Sequence, residues 1–286
     1  NEDDGGYKAF IGESIWASRV SFVVQQNYQD DKVLSDILGN KKFRQALSLA
    51  IDREEINENV FMGQGKPRQL AFSPGTVPVF KEEWANSYVE YNPERARKLL
   101  DEIGLTDEDG DGWRERPDGK VLLVNLLSNS SRGVNVSTCE LARTYWEDIG
   151  IKINMRTVDE ATFFEREFNG QTQIAAHFMT GARPPWDQWT PTEATHFTWF
   201  NWLSRYDIFT QTVPEEIPES AQAVKPPQKI IDLYRWGHMI PYTSGEERKE
   251  LYEKIGDYVA ENLPAIGTVG MAGHVGVHNK NLGNIR

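Results

Sequence analysis

Between Val121 and Met179 the hydrophobic period switches four times. Strand-like runs at Val121–Leu127, Ile151–Val158 and Gln173–Met179 alternate with helical stripes at Val136–Ile149 and Ala161–Phe168. Parallel strands need a long crossover, and a helix supplies it, so this order predicts an α/β domain with parallel pairs and right-handed crossovers. Ligands of such sheets settle beyond the carboxyl ends of the strands. Here those ends are Ser128 to Arg132, Asp159, and Thr180 to Trp189.

The flanking segments fit the same class. Arg19–Tyr28 alternates as a strand, and Asp30–Gly39 reads as a short helix or turn. Lys42–Phe61 is helical, with the stripe Phe43, Ala46, Leu47, Ala50, Ile51. Asp52, with Glu55 three residues on, predicts a fresh helix start inside it. Asn92-Pro93-Glu94 opens another helix, with Ala96, Leu99, Leu100 and Ile103 as its buried face and Gly104 as its stop. Gly181 to Pro227 is long, proline-rich and mostly aperiodic, as functional loops often are. Helices Gln228–Met239 and Glu246–Asn262 follow, then one glycine-laced apolar strand, Ala265–Val277.

Composition removes several classes. The 286 residues carry 31 basic against 43 acidic side chains, a net charge of -12, which disfavours a nucleic-acid partner. No apolar run approaches the ~20 residues of a membrane span. The single cysteine, Cys139, excludes an internal disulfide. The start, Asn1-Glu2-Asp3-Asp4, is neither an initiator methionine nor a signal peptide, and the chain reads as a piece of a longer protein.

Motifs add a more specific reading. Phe43-Arg44-Gln45-Ala46-Leu47-Ser48-Leu49-Ala50-Ile51-Asp52-Arg53-Glu54-Glu55-Ile56 resembles the extracellular solute-binding proteins, family 5, the oligopeptide- and dipeptide-type receptors of ABC importers. In the family's order come Gly63-Gln64-Gly65 with Pro67, Ser73-Pro74-Gly75, Tyr91-Asn92-Pro93-Glu94-Arg95-Ala96, Trp146-Glu147-Asp148-Ile149-Gly150-Ile151-Lys152, and Glu247-Arg248 with Leu251-Tyr252. Glu261-Asn262-Leu263-Pro264-Ala265-Ile266-Gly267-Thr268-Val269-Gly270 resembles one subgroup.

The resemblance implies a lobe of type II periplasmic-binding-protein-like fold, a mixed sheet flanked by helices. It implies a lead and outgoing hinge strand over 1–42, the second lobe over 43–265 and a returning hinge strand over 266–286. The hinge strands would be Arg19–Tyr28 and Ile266–Val277. It further implies a peptide or oligosaccharide solute bound by lobe closure, an ABC permease as partner, a monomer, and a periplasmic or extracellular place, lipid-anchored or free.

Four of the 9 tryptophans, Trp186, Trp189, Trp199 and Trp202, lie close in sequence, and indole faces stack on sugars or peptide side chains. Trp199 and Trp202 equally suit a buried run with Phe200. Arg183 could clamp a carboxylate or remain a solvated arginine. His177 and Phe178 lead into the loop, His177 serving as a core residue or a ligand contact. Peptide-binding members often carry an aspartate after this strand. Met179-Thr180-Gly181-Ala182 has none, Asp187 is the nearest acid, and sugar binding stays open.

At Asp107, Asp109 and Asp111, with Trp113 offering its carbonyl, then Glu115 and Asp118, oxygen atoms recur at a calcium-loop spacing. Pro117, and aspartate in place of glutamate at the last position, depart from that pattern, and a polar Asp-Gly turn is the alternative. An ion there would be structural, and no cofactor is required. His274 and His278 lack the further ligands of a zinc site. A carbohydrate-active hydrolase, using an acid pair such as Glu165 and Glu193, is the competing function. A protein-interaction domain is the third.

Overall fold

The computed structural model describes residues 6–12, 16–180, 198–213, 224–271 and 273–281. In chain order the first elements are β1 (Tyr7–Gly12), β2 (Trp16–Val24), α1 (Lys32–Gly39), α2 (Lys41–Leu49), α3 (Arg53–Phe61) and β3 (Lys66–Pro67). Then come α4 (Glu82–Asn86), α5 (Pro93–Asp101), β4 (Leu123–Asn129), α6 (Gly133–Asp148), β5 (Lys152–Val158), α7 (Glu160–Phe168) and β6 (Ile174–Thr180). The chain continues through α8 (Phe200–Leu203), α9 (Gln228–Met239), α10 (Gly245–Asn262), β7 (Ala265–Gly267), β8 (Val269–Gly270) and β9 (His274–Asn279).

The helices start where side chains can satisfy free N–H groups. Asp52 Oδ1 accepts from the Glu55 N–H at 2.9 Å and divides α2 from α3. Asn92 Oδ1 accepts from the Arg95 N–H at 3.0 Å, with Pro93 in the first turn of α5. Asp159 does the same for Thr162 at the start of α7, directly beyond β5.

Five strands form a mixed sheet in the order β5-β4-β6-β2-β7. β4 runs parallel to β5 and β6, and β2 is antiparallel to β6 and β7. The expected strand–helix–strand series is therefore present, with its crossovers packed on opposite faces. Phe22, Leu126 and Ala176 meet Cys139, Ala142 and Trp146 of α6 in the main core. Their strand neighbours Leu127 and Ala175 point the other way and meet Phe163 of α7.

Two expectations are corrected. The apolar run Ala265–Val277 is three strands in three sheets, not one. β7 joins the five-stranded sheet, β8 pairs with β3, and β9 pairs with β1. Thr268 causes the first break, donating its hydroxyl to Val20 O and its N–H to Ser18 Oγ. Met271, at φ 53°, turns the chain again. The strand expected at Arg19–Tyr28 instead spans Trp16–Val24 and lies inside the sheet between β6 and β7.

Candidate functional site

Because β4, β5 and β6 are parallel, their carboxyl ends meet at one edge of the sheet. There the Ser130 N–H bonds Val158 O at 2.8 Å, and Asn129 Oδ1 accepts from the Ser131 N–H at 2.9 Å. This tight turn delivers Arg132, in extended conformation, to the start of α6, which has no side-chain cap. The Arg132 guanidinium lies 4.0 Å from the ring centroid of Phe178 on β6. Trp16 meets Phe178 edge-on at 5.2 Å, and Arg19 stands 5.5 Å over Trp16. Two cations and two aromatic rings thus share the edge, each cation held on a π face. Partial burial, and then the charge of Arg132, lower the Arg19 pKa. Among the described residues, no carboxylate forms an ion pair with Arg19 or Arg132.

Behind this edge Glu167 of α7 and His177 of β6 are 2% and 1% exposed, with Oε2 3.6 Å from Nε2. Phe163 and Phe164 enclose the imidazole, and Nδ1 lies 2.7 Å from Phe178 O. Burial pushes the Glu167 carboxyl up to about 8. Burial, opposed by the contact to Phe178 O and helped by the Arg132 charge, takes His177 down to about 4. Near neutrality the carboxyl is therefore protonated and the imidazole neutral, since neither charge is solvated.

Glu167 contributes stability fully below its unfolded pKa of about 4.3, and loses it as pH rises towards 8. His177 runs oppositely, losing stability as pH falls from about 6.5 through 4. Glu167→Gln keeps the shape and removes the first slope. Its melting temperature relative to wild type should climb steadily from pH 5 to pH 8. Parallel curves for the two proteins would contradict the neutral-acid assignment.

The expected site residues are dispersed. His177 and Phe178 are at the edge, His177 facing α7 and Phe178 beneath Arg132. Trp199 and Trp202 are each 6% exposed and pack with Leu203, Ile230, Ile231 and Tyr234, the arrangement of the buried alternative. α9 supplies an apolar face that the indoles cover. Arg183, Trp186, Asp187, Trp189 and Glu193 lie outside the described residues, and Glu165 is exposed on α7.

Carboxylate oxygens of Asp107, Asp109, Asp111 and Glu115 come within 4.8 Å of one another, a donor set whose chemistry suits a hard divalent cation. The same acids also accept the loop's own N–H groups, such as Gly110 and Gly112 on Asp107 and Glu108 on Glu115. Asp118 is not with them, because Arg116 holds both its oxygens, at 3.0 and 2.7 Å. The Trp113 ring lies under the Lys152 ammonium. In β9, His274 stands opposite Gly12 and His278 opposite Lys8.

Sequence reasoning missed Trp16, Arg19, Arg132 and Glu167 as individuals. Glu167 did carry a signal, since it falls four residues after Phe163 on the buried stripe of α7.

The sequence model of the bacterial extracellular solute-binding proteins, family 5 (middle), matches residues 2–201. The oligopeptide-binding protein AppA of Bacillus subtilis (strain 168) is 30% identical over 132 residues, 46% of this chain and 24% of that protein. The periplasmic alpha-galactoside-binding protein of Rhizobium meliloti (strain 1021) is 24% identical over 89% of this chain and 35% of its own length. The solved oligopeptide-binding protein OppA superposes with a TM-score of 0.84 at 31% identity, covering 98% of this chain and 45% of that one. The chain thus spans less than half the length of these relatives. No helix among the described residues is long and apolar enough to cross a membrane.

Proposed function

Since the chain belongs to the bacterial extracellular solute-binding proteins, family 5, we propose that it forms one lobe of a receptor that captures a solute outside the cytoplasmic membrane and delivers it to an ABC permease. The observation that carries this reading is the strand-end edge with Trp16, Arg19, Arg132 and Phe178 converging on it. A solute rests on that edge, and a second lobe closes over it. The ribbon of β1 and β9, whose register runs from Tyr7↔Asn279 to Gly12↔His274, carries the chain to and from that lobe as the hinge. The receptor works as a monomer, free or lipid-anchored, and performs no covalent chemistry.

The charge of the edge supports one solute class over another. Two guanidiniums without a carboxylate partner among the described residues favour a solute that brings its own anionic group, such as a peptide with a free carboxyl terminus. A neutral oligosaccharide would stack on the rings and leave both cations unanswered.

The test is equilibrium binding to the two-lobed receptor, using short peptides, their carboxyl-terminal amides and neutral oligosaccharides. Free-acid peptides should bind. Amidation, or Arg132→Ala, should weaken them by roughly tenfold to a hundredfold, the worth of a charge-assisted hydrogen bond. The ligand should be recovered intact. Binding of oligosaccharides alone would overturn the anionic assignment, and shortened products would favour the hydrolase.

A further inference from the structure

A cavity of about 150 Å³ lies along the face covered by α7, in the crevice between α7 and strands β4 and β5. Arg156 and Arg166 line it, with Thr172 and Gln173 leading into β6. Arg156 is in register with Leu127, which packs on Phe163, so its side chain rises on the α7 side of the sheet. Arg166 comes from α7 itself, three residues after Phe163.

The lining sets the two guanidiniums among hydroxyl and amide side chains and the apolar Leu126 and Leu127. No aspartate or glutamate takes part in it. Among the described residues, neither guanidinium has an ion pair or a hydrogen bond, although the chain carries 43 acids against 31 bases. Thr172 and Gln173 are 7% and 6% exposed. Gln173 Oε1 is committed to the Asn125 N–H at 2.7 Å, which fixes the amide and leaves Nε2 without a protein acceptor. The Thr172 hydroxyl has no protein partner either. Arg156 is exposed and Arg166 half-buried, so both guanidiniums reach water, and two cations converging on a crevice with no acid in its lining favour an anionic, acceptor-rich ligand.

We propose that this cavity binds a small oxyanion, phosphate or sulfate, free or as a monoester, independently of the solute edge. The planar forks of Arg156 and Arg166 each offer parallel N–H groups to two oxygens, and Thr172 and Gln173 supply donors from the sheet side. The crevice has room for one such ion. The ion would join the edge strand β5 to α7, the helix that carries Glu167.

The test uses this chain, titrated with sodium phosphate, sodium sulfate and glycerol phosphate against sodium chloride at matched ionic strength. Thermal unfolding and isothermal titration are the readouts. Phosphate or sulfate should give a saturable rise in melting temperature that chloride does not. Affinity should fall roughly tenfold or more in Arg156→Gln/Arg166→Gln, and weaken in Thr172→Val. Arg132→Gln should bind the anion unchanged, which separates this site from the solute edge. Glycerol phosphate matching phosphate would assign the site to monoesters, and silence with glycerol phosphate alone would assign it to the free ion. An equal response to chloride, or an undiminished response in the double variant, would overturn the proposal.

Discussion

Arg53→Ala should lose at least about 3 kcal/mol of folding stability, the cost of breaking a buried charged network from one side. Arg53 opens α3 and is 2% exposed. Its Nε donates to Gly267 O at 3.0 Å, its Nη1 to Ser48 O at 2.9 Å and Val89 O at 3.1 Å, and its Nη2 to Ser48 Oγ at 2.7 Å. Gln69 extends the network, donating to Ser48 Oγ and accepting from the Gly267 N–H. Burial lowers the Arg53 pKa to about 9, opposed by the charge of Glu90. Alanine would leave those carbonyls buried without donors, at about 1–3 kcal/mol for each lost partner. Arg53→Lys should recover only part, because an ammonium cannot span the same fork. Urea unfolding midpoints decide the matter. A loss below about 1 kcal/mol, within the net worth of one ordinary hydrogen bond, would mean the network is not integral to the fold.

Gly270→Ala should be nearly as damaging, for a steric reason. A Cβ on Gly270 would sit 1.9 Å from Ala17 O and 2.6 Å from Ala17 C, both backbone atoms with nowhere to rotate. β8 would have to leave β2, breaking the bond from the Met271 N–H to Trp16 O at 2.9 Å. The cost should meet or exceed the roughly 1–3 kcal/mol typical of overpacking. Trp16 is part of the cation–aromatic edge, so solute affinity should fall as well. Gly133→Ala is the control: nothing lies within 4 Å, and the position opens α6. It should be neutral or slightly stabilising. A wild-type melting temperature for Gly270→Ala would contradict the packing.

Both residues bear on what the sequence could reveal. The starts of α3 and α5 were legible because Asp52 and Asn92 act within three residues of themselves. The parallel series was legible because changes of hydrophobic period are local too. The end of the chain was not. Ala265–Val277 looks like one strand because its breaks come from distant partners, Ser18, Val20 and Ala17, that no local pattern announces. The packing of two tryptophans was hidden for a related reason. Composition registers an indole at Trp199 or Trp202 but not the apolar face of α9 that covers it.

The site was legible in outline. Rules for parallel sheets pointed to Ser128–Arg132 and to the end of β6, where Arg132 and Phe178 meet. Trp16 and Arg19 join them only through the pairing of β2 with β6, more than 150 residues apart in sequence (Trp16↔Thr180). Function came chiefly from the ordered motifs, most of which fall within the 2–201 match.

If solute binds on the carboxyl-end edge of β4 and β6, hydrogen–deuterium exchange on the two-lobed receptor, with and without a bound peptide, will register it there. New protection should appear across Trp16–Arg19, Ser128–Asn135 and Phe178–Thr180, with α9 and α10 unchanged. Protection confined to Trp199–Tyr206 and α9, with the strand-end edge exchanging as before, would contradict it.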